Sequence, residues 1–169
     1  MESMNIHEIV KQLTLEEKAA LCSGQEMFAS AAIERLGVPA IALADGPHGL
    51  RKQTGKQDFM GQNASVTATC FPAACAIGSG FDPALAEEMG QALGQACQAE
   101  DVQVLLGPGV NIKRSPLCGR NFEYFSEDPL VSGTMGTGYV RGVQSQGVGA
   151  CLKHFFCQQS GDPPPHGKQ

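Results

Sequence analysis

Two Asp-Pro dipeptides set the frame of this chain. Asp82-Pro83 and Asp128-Pro129 each put a capping carboxylate ahead of a proline. Proline fits the first helical position because its missing N–H would have no intrahelical partner there. The spacing predicts one helix from Asp82-Pro83 to about Ala99 and another from Asp128-Pro129 to about Gln146. A short apolar run follows each, Val102–Leu106 (VQVLL) and Val148–Leu152, and a third, Val38–Ala44 (VPAIALA), ends earlier at Asp45-Gly46. Apolar runs of this length bounded by turn residues fit buried strands. Strand, polar loop, helix, strand, repeated at the size of a βαβ unit, implies parallel strands with helices outside. The expected fold class is α/β.

Ahead of the first strand, Ile6–Leu13 and Leu15–Cys22 read as two short amphipathic helices, with Thr14 and Glu17 in capping-box spacing. Arg51–Ser65 is polar and glycine-bearing, hence a long loop. Gly133, Gly136 and Gly138 lie inside a helix, which is the wrong context for a nucleotide fingerprint; they read as small residues packing against a sheet.

With 169 residues the chain suffices for one ordinary domain, whereas a closed eight-unit barrel takes about 250. Its net charge of -5 argues against nucleic acid or an anionic membrane as the main partner, since both need a dense basic surface. The segment MESMNIHEIVKQLTLEEK has no long apolar run, so neither a signal peptide nor a membrane span is read there and the cytoplasm is the expected compartment. Seven cysteines, an odd number scattered through apolar segments such as Cys70, Cys75, Cys97 and Cys151, read as reduced core residues.

Chemistry in parallel sheets collects on the loops that leave the strands' C-terminal ends. Three polar clusters fall there: Asp45 to Arg51, Lys113-Arg114 through Arg120 to Glu123, and Lys153-His154. Singly, each has an ordinary explanation. Asp45-Gly46 makes a turn, Arg114 and Arg120 serve as solvated cations, and Lys153 snorkels at a strand end. Together they would line one pocket with directional donors and acceptors. Sugar hydroxyls suit such a pocket, because a carboxylate can bridge two vicinal hydroxyls while Arg and Lys donate to others. Cys151, His154 and Cys157, with Cys118 elsewhere, lack standard zinc spacing, so no metal and no cofactor is expected.

The strings LADGPHGLR, GPGVNIKRSPLCGRNFEYFSEDP and CLKHF, in this order, resemble the N-terminal part of a glycoside hydrolase family 3 enzyme of β-glucosidase type. The resemblance covers roughly Met4 to Phe156. It implies an incomplete (β/α)8 TIM-type barrel, about its first half, whose strand-end loops bind the nonreducing terminal sugar of a β-linked glycoside. It assigns Asp45 to the outer hydroxyls of that sugar, Arg51 to the same subsite, and Arg120, Lys153 and His154 to the rest of the wall. Glu123 is read from its spacing as the residue that orients Arg120.

The family hydrolyses O-glycosyl bonds with retention, using one carboxylate as nucleophile and a second as acid and then base. Its nucleophile is an Asp followed by Trp on a later strand, and this chain has no Trp. The resemblance therefore implies a sugar-binding wall without the reacting groups, inactive alone, and either a carbohydrate-binding module or a piece that acts with a complementing C-terminal fragment. Glu123, Glu127 and Asp128 do not replace those groups, because Glu127-Asp128-Pro129 reads as a helix start. Beyond Phe156 the family pattern K-H-F-x-x-N-N-Q-E stops. Permitted codons for Cys157 to Asp162, read one nucleotide later, give A-N-N-Q-E-T. Residues 1–156 are thus expected to be the domain, and 157–169 an out-of-frame, disordered tail.

Overall fold

The computed structural model describes residues 5–55 and 63–155. The expected tail at 157–169 and part of the Arg51–Ser65 loop lie outside the described residues. Two short helices open the chain, α1 (Ile6–Gln12) and α2 (Leu15–Ser23). Asn5 caps α1, and Thr14 and Glu17 form the reciprocal capping box at α2. Arg35, in a 3-10 turn over Glu34–Leu36, ties this prelude down by hydrogen bonding the Glu17 carboxylate and, at 2.8 Å, the Gln12 carbonyl.

Strand β1 (Leu43–Ala44) leads into a loop, and then α3 (Ala74–Ser79) and α4 (Pro83–Ala99). Strand β2 (Val104–Leu105) follows, then a long loop containing a 3-10 turn at Asn121–Glu123, helix α5 (Pro129–Ser145) and strand β3 (Gly149–Ala150). The three strands form one parallel sheet in the order β1-β2-β3, with Leu43, Val104 and Gly149 in register. The architecture is α/β with a parallel sheet.

Both Asp-Pro helix starts form as the sequence predicts. Asp82 accepts hydrogen bonds from the backbone of Ala84 and Leu85, and Asp128 from Leu130 and Val131. Helix α3 has no counterpart in the sequence reading. It spans six residues, and its N-cap residue Ala73 offers no side-chain hydrogen bond; the His48 ring takes the first N–H instead, with Nε2 accepting from Ala74 N at 3.0 Å.

The strands are shorter than the apolar runs suggest. The first run reaches strand geometry only at Leu43–Ala44, because Val38 is bridged to Ile33 and Ala42 to Ala29 in antiparallel fashion. The core lies where α4 and α5 cover the sheet: Ala86, Leu93, Cys97, Leu105 and Val143 are each 0% exposed. Burial without a charged partner pushes the Cys97 thiol up to about 11. Cys70 and Cys151, by contrast, are exposed and do not belong to the core as the sequence reading had them. Apolar surroundings in sequence do not decide burial. Cys97 lies on the buried face of α4, while Cys70 lies in a loop and Cys151 just past β3.

The helix glycines also pack differently from expectation. A Cβ on Gly138 would sit 2.4 Å from the Pro83 carbonyl oxygen, and one on Gly142 2.1 Å from that of Glu87. Reciprocally, a Cβ on Gly90 would meet the Tyr139 carbonyl at 2.4 Å. These glycines therefore let α5 approach α4, not the sheet; Gly136 faces Val110 in the loop after β2, and Gly133 meets nothing within 4 Å. Among the described residues no helix is long and apolar enough to cross a membrane.

Candidate functional site

In a parallel sheet all strands point the same way, so the residues that follow them emerge at one edge. Asp45 comes directly after β1, the loop from Leu106 to Asp128 after β2, and Lys153 and His154 shortly after β3. A parallel bridge between Gly109 and Lys153, with Lys153 N donating to Pro108 O at 3.0 Å and Val110 N to Lys153 O at 2.8 Å, carries the β2–β3 pairing on to the site. The Lys153-His154 peptide is cis.

After β1 the chain folds back at once. Gly46 has φ 113°, and a Cβ there would stand 2.0 Å from the Gly49 carbonyl oxygen, so the turn requires glycine. Arg51 returns to donate its backbone N–H to the Asp45 carbonyl at 2.9 Å. This turn presents the Asp45 carboxylate to Lys153, whose Nζ lies 2.7 Å from Oδ1. Burial pushes the Asp45 carboxyl up, but the hydrogen bond and charge of Lys153, with Arg51, outweigh it and hold the group below its usual value.

The second part of the cluster is centred on Arg120. Its Nε donates to the buried Glu123 carboxylate and its Nη2 bonds Nε2 of His154. Tyr124 stands edge-on to the His154 ring, with its hydroxyl 3.2 Å from Nδ1. Asn111 Oδ1 accepts the His154 backbone N–H at 2.6 Å and lies 3.3 Å from Nδ1. Burial, and then the Arg120 charge, lower the His154 pKa.

Asp45, Arg120, Lys153, His154 and Glu123 are thus brought together, with Arg51 beside them through its backbone and its charge. Glu123 is in contact with Arg120, as the spacing suggests. Asn111 and Tyr124 join the same cluster and were not singled out in the sequence; the available signal was their position in the loop leaving β2. His48, half-buried, docks α3. Among the described residues no group of three His, Cys, Asp or Glu could hold a metal ion; Cys157 lies outside the described residues.

A profile of the glycosyl hydrolase family 3 N terminal domain matches residues 6–166. The chain belongs to glycoside hydrolase family 3. Among curated relatives, it is 58% identical over 153 residues to thermostable beta-glucosidase B of Acetivibrio thermocellus, covering 90% of this chain and 20% of that protein. It is 51% identical over 150 residues to an exo-alpha-(1->6)-L-arabinopyranosidase of Bifidobacterium longum, covering 86% and 19%. The structure of beta-glucosidase 3B from Thermotoga neapolitana in complex with alpha-D-glucose superposes with a TM-score of 0.78 at 45% identity, over 89% of this chain and 23% of that one. The chain spans about a fifth of the length of the curated relatives it matches.

Proposed function

We propose that the cluster at the strand ends binds the nonreducing terminal sugar of a β-linked glycoside, and that this chain supplies part of the binding wall of a retaining β-glucosidase-like hydrolase. The observation that supports this best is the convergence of Asp45, Arg120, Lys153 and His154 from three adjacent parallel strands. A carboxylate beside an ammonium, next to a guanidinium and an imidazole, offers paired acceptors and donors to neighbouring hydroxyls. Asp45 accepts from the outer hydroxyls and Lys153 and Arg120 donate, while Glu123 holds Arg120 in place from its buried side. The glucose in the Thermotoga neapolitana relative's complex agrees with a hexose as ligand.

In the same reading, residues 1–156 are the first part of a (β/α)8-type barrel, and the nucleophile and acid/base belong to segments outside this sequence. The chain then binds sugar but does not turn it over alone, and a complementing C-terminal piece would restore hydrolysis.

Titration calorimetry with glucose, alongside an assay of an aryl β-glucoside, tests this. Expected are binding by the 169-residue chain, loss of binding in Asp45→Ala, and no hydrolysis until the C-terminal portion of a long family 3 relative is added. Absence of glucose binding overturns the binding role. Turnover by the chain alone that disappears in Asp45→Ala overturns the division of labour.

A further inference from the structure

We propose that Asn111 is a positioning residue: it fixes the tautomer of His154, and through His154 the orientation of the Arg120 guanidinium. The consequence for sugar affinity rests on the carbohydrate reading above; the tautomer itself does not.

The His154 backbone N–H can only donate, and it points at Asn111 Oδ1 from 2.6 Å, which distinguishes the oxygen of that amide from its nitrogen. The same oxygen lies 3.3 Å from His154 Nδ1. An amide oxygen facing a ring nitrogen is satisfied only when that nitrogen carries the proton.

The other edge of the ring gives the same answer independently. A guanidinium has donors and no acceptor, and Arg120 Nη2 bonds Nε2, so Nε2 must present its lone pair. Both edges require the neutral Nδ1–H form.

Tyr124 is consistent with this assignment. Its oxygen, 3.2 Å from Nδ1, can accept from the ring, which leaves its own proton free to turn toward the negative charge of Glu123, the carboxylate that takes the Nε–H of Arg120. Glu123, Arg120, His154 and Tyr124 thus form a chain of contacts whose donors and acceptors agree on one tautomer, and Asn111 is the member outside the chain that sets its sense. In the Nε2–H tautomer, or in the imidazolium, the Nε2–H would point at the guanidinium N–H and break the chain at Arg120. The charged and titratable groups facing the imidazole are Arg120 and Lys153, which oppose its protonation, Glu123 and Asp45, which favour it, and the Tyr124 hydroxyl.

The test is a long-range proton–nitrogen correlation spectrum of the full chain with 15N-labelled histidine, His154 being assigned by His154→Gln. At about pH 7.5, above the ordinary histidine pKa, the wild type is expected to show a protonated Nδ1 and a bare Nε2 at His154. In Asn111→Ala the signal should move toward the Nε2–H form that predominates in free neutral histidine. In Asn111→Asp, which keeps the acceptor oxygen, it should stay. Glucose affinity should fall about five-fold in Asn111→Ala, as for loss of one hydrogen bond, and about two-fold or less in Asn111→Asp.

An Nε2–H signal at His154 in the wild type overturns the proposal without any variant. So does an unchanged Nδ1–H signal in Asn111→Ala with a native circular dichroism spectrum. Should Asn111→Ala not fold, Asn111→Ser carries the comparison. A wild type that shows Nδ1–H yet binds no sugar sinks the carbohydrate reading and leaves the tautomer assignment supported.

Discussion

Lys153 Nζ lies 2.7 Å from Asp45 Oδ1, joining residues 108 positions apart at the ends of the two outer strands of the sheet. The contact exists only when β1, β2 and β3 are all assembled, so it reports on the sheet as well as on the site.

Removing the charge at Asp45 should therefore be felt in both. Lys153 retains only 17% of its side-chain exposure, whereas Asp45 retains 45%, so solvent screens much of the pair. Asp45→Asn is expected to destabilise by about 1 kcal/mol, near the upper end for exposed ion pairs, read as a lower urea midpoint with an unchanged slope. An unchanged midpoint would show that the pair is electrostatically silent.

Acidification should weaken the fold in two steps. Burial holds His48 below its ordinary 6.5, and burial with the Arg120 charge does the same for His154. For a histidine depressed in the folded state, the unfolded chain takes up protons first. Stability is then full above about pH 6.5 and declines as the pH falls through that value, levelling off below the folded pKa. Asp45, held below its ordinary 3.8 chiefly by Lys153 against the cost of burial, adds a second loss as the pH falls through its folded value. Urea midpoints measured from about pH 8 to pH 3 should show both steps, the first reduced in His48→Gln. A flat profile between about pH 7.5 and pH 5.5 would contradict it.

The two long helices offer a comparison within one element. A methyl on Gly142 would stand 2.1 Å from the Glu87 carbonyl oxygen, while one on Gly133 meets nothing within 4 Å. Gly142→Ala should destabilise by about 2 kcal/mol, as overpacking does. Gly133→Ala should stabilise by about 0.5 to 1 kcal/mol, since alanine loses less backbone entropy in a helix. Thermal unfolding of both variants distinguishes them; equal shifts would mean the helices do not approach at Gly142.

Glu123 is 7% exposed and holds Arg120 from behind. Glu123→Gln keeps the shape but leaves the guanidinium without its carboxylate. Glucose affinity is expected to fall by about ten-fold, in line with about 1.5 kcal/mol for a hydrogen bond to a charged group. Unchanged affinity by calorimetry would remove Glu123 from the account of the site.

Much of the fold was legible because its signals are local. Asp82-Pro83 and Asp128-Pro129 carry both cap and first-turn residue, and Thr14 with Glu17 carries a whole capping box. Helix α3 was not legible. Its cap is the ring of His48, 26 residues away, which no local pattern encodes. The helix glycines were assigned to the wrong neighbour for a related reason: close packing shows in the residue type, but the partner does not. Of the site, Asp45, Arg120, Lys153 and His154 could be read because they fall together at strand ends, within strings that resemble the family, although each alone looks like an ordinary turn or loop residue. Asn111 and Tyr124 look like any polar or aromatic residue in a strand-end loop, and their roles come from contacts 43 and 30 residues away.

Apart from α3, the order of the main helices and strands, the two long helices and the polar character of the strand-end loops follow from the sequence alone, because backbone capping and hydrophobic periodicity act within a few residues. Which loops face one another, which acid meets which base, and which nitrogen of His154 bears the proton were decided only by the tertiary structure. Parallel strands bring groups from distant parts of the chain to one edge, and hydrogen-bond partners there are chosen by distances and directions that no local stretch of sequence contains.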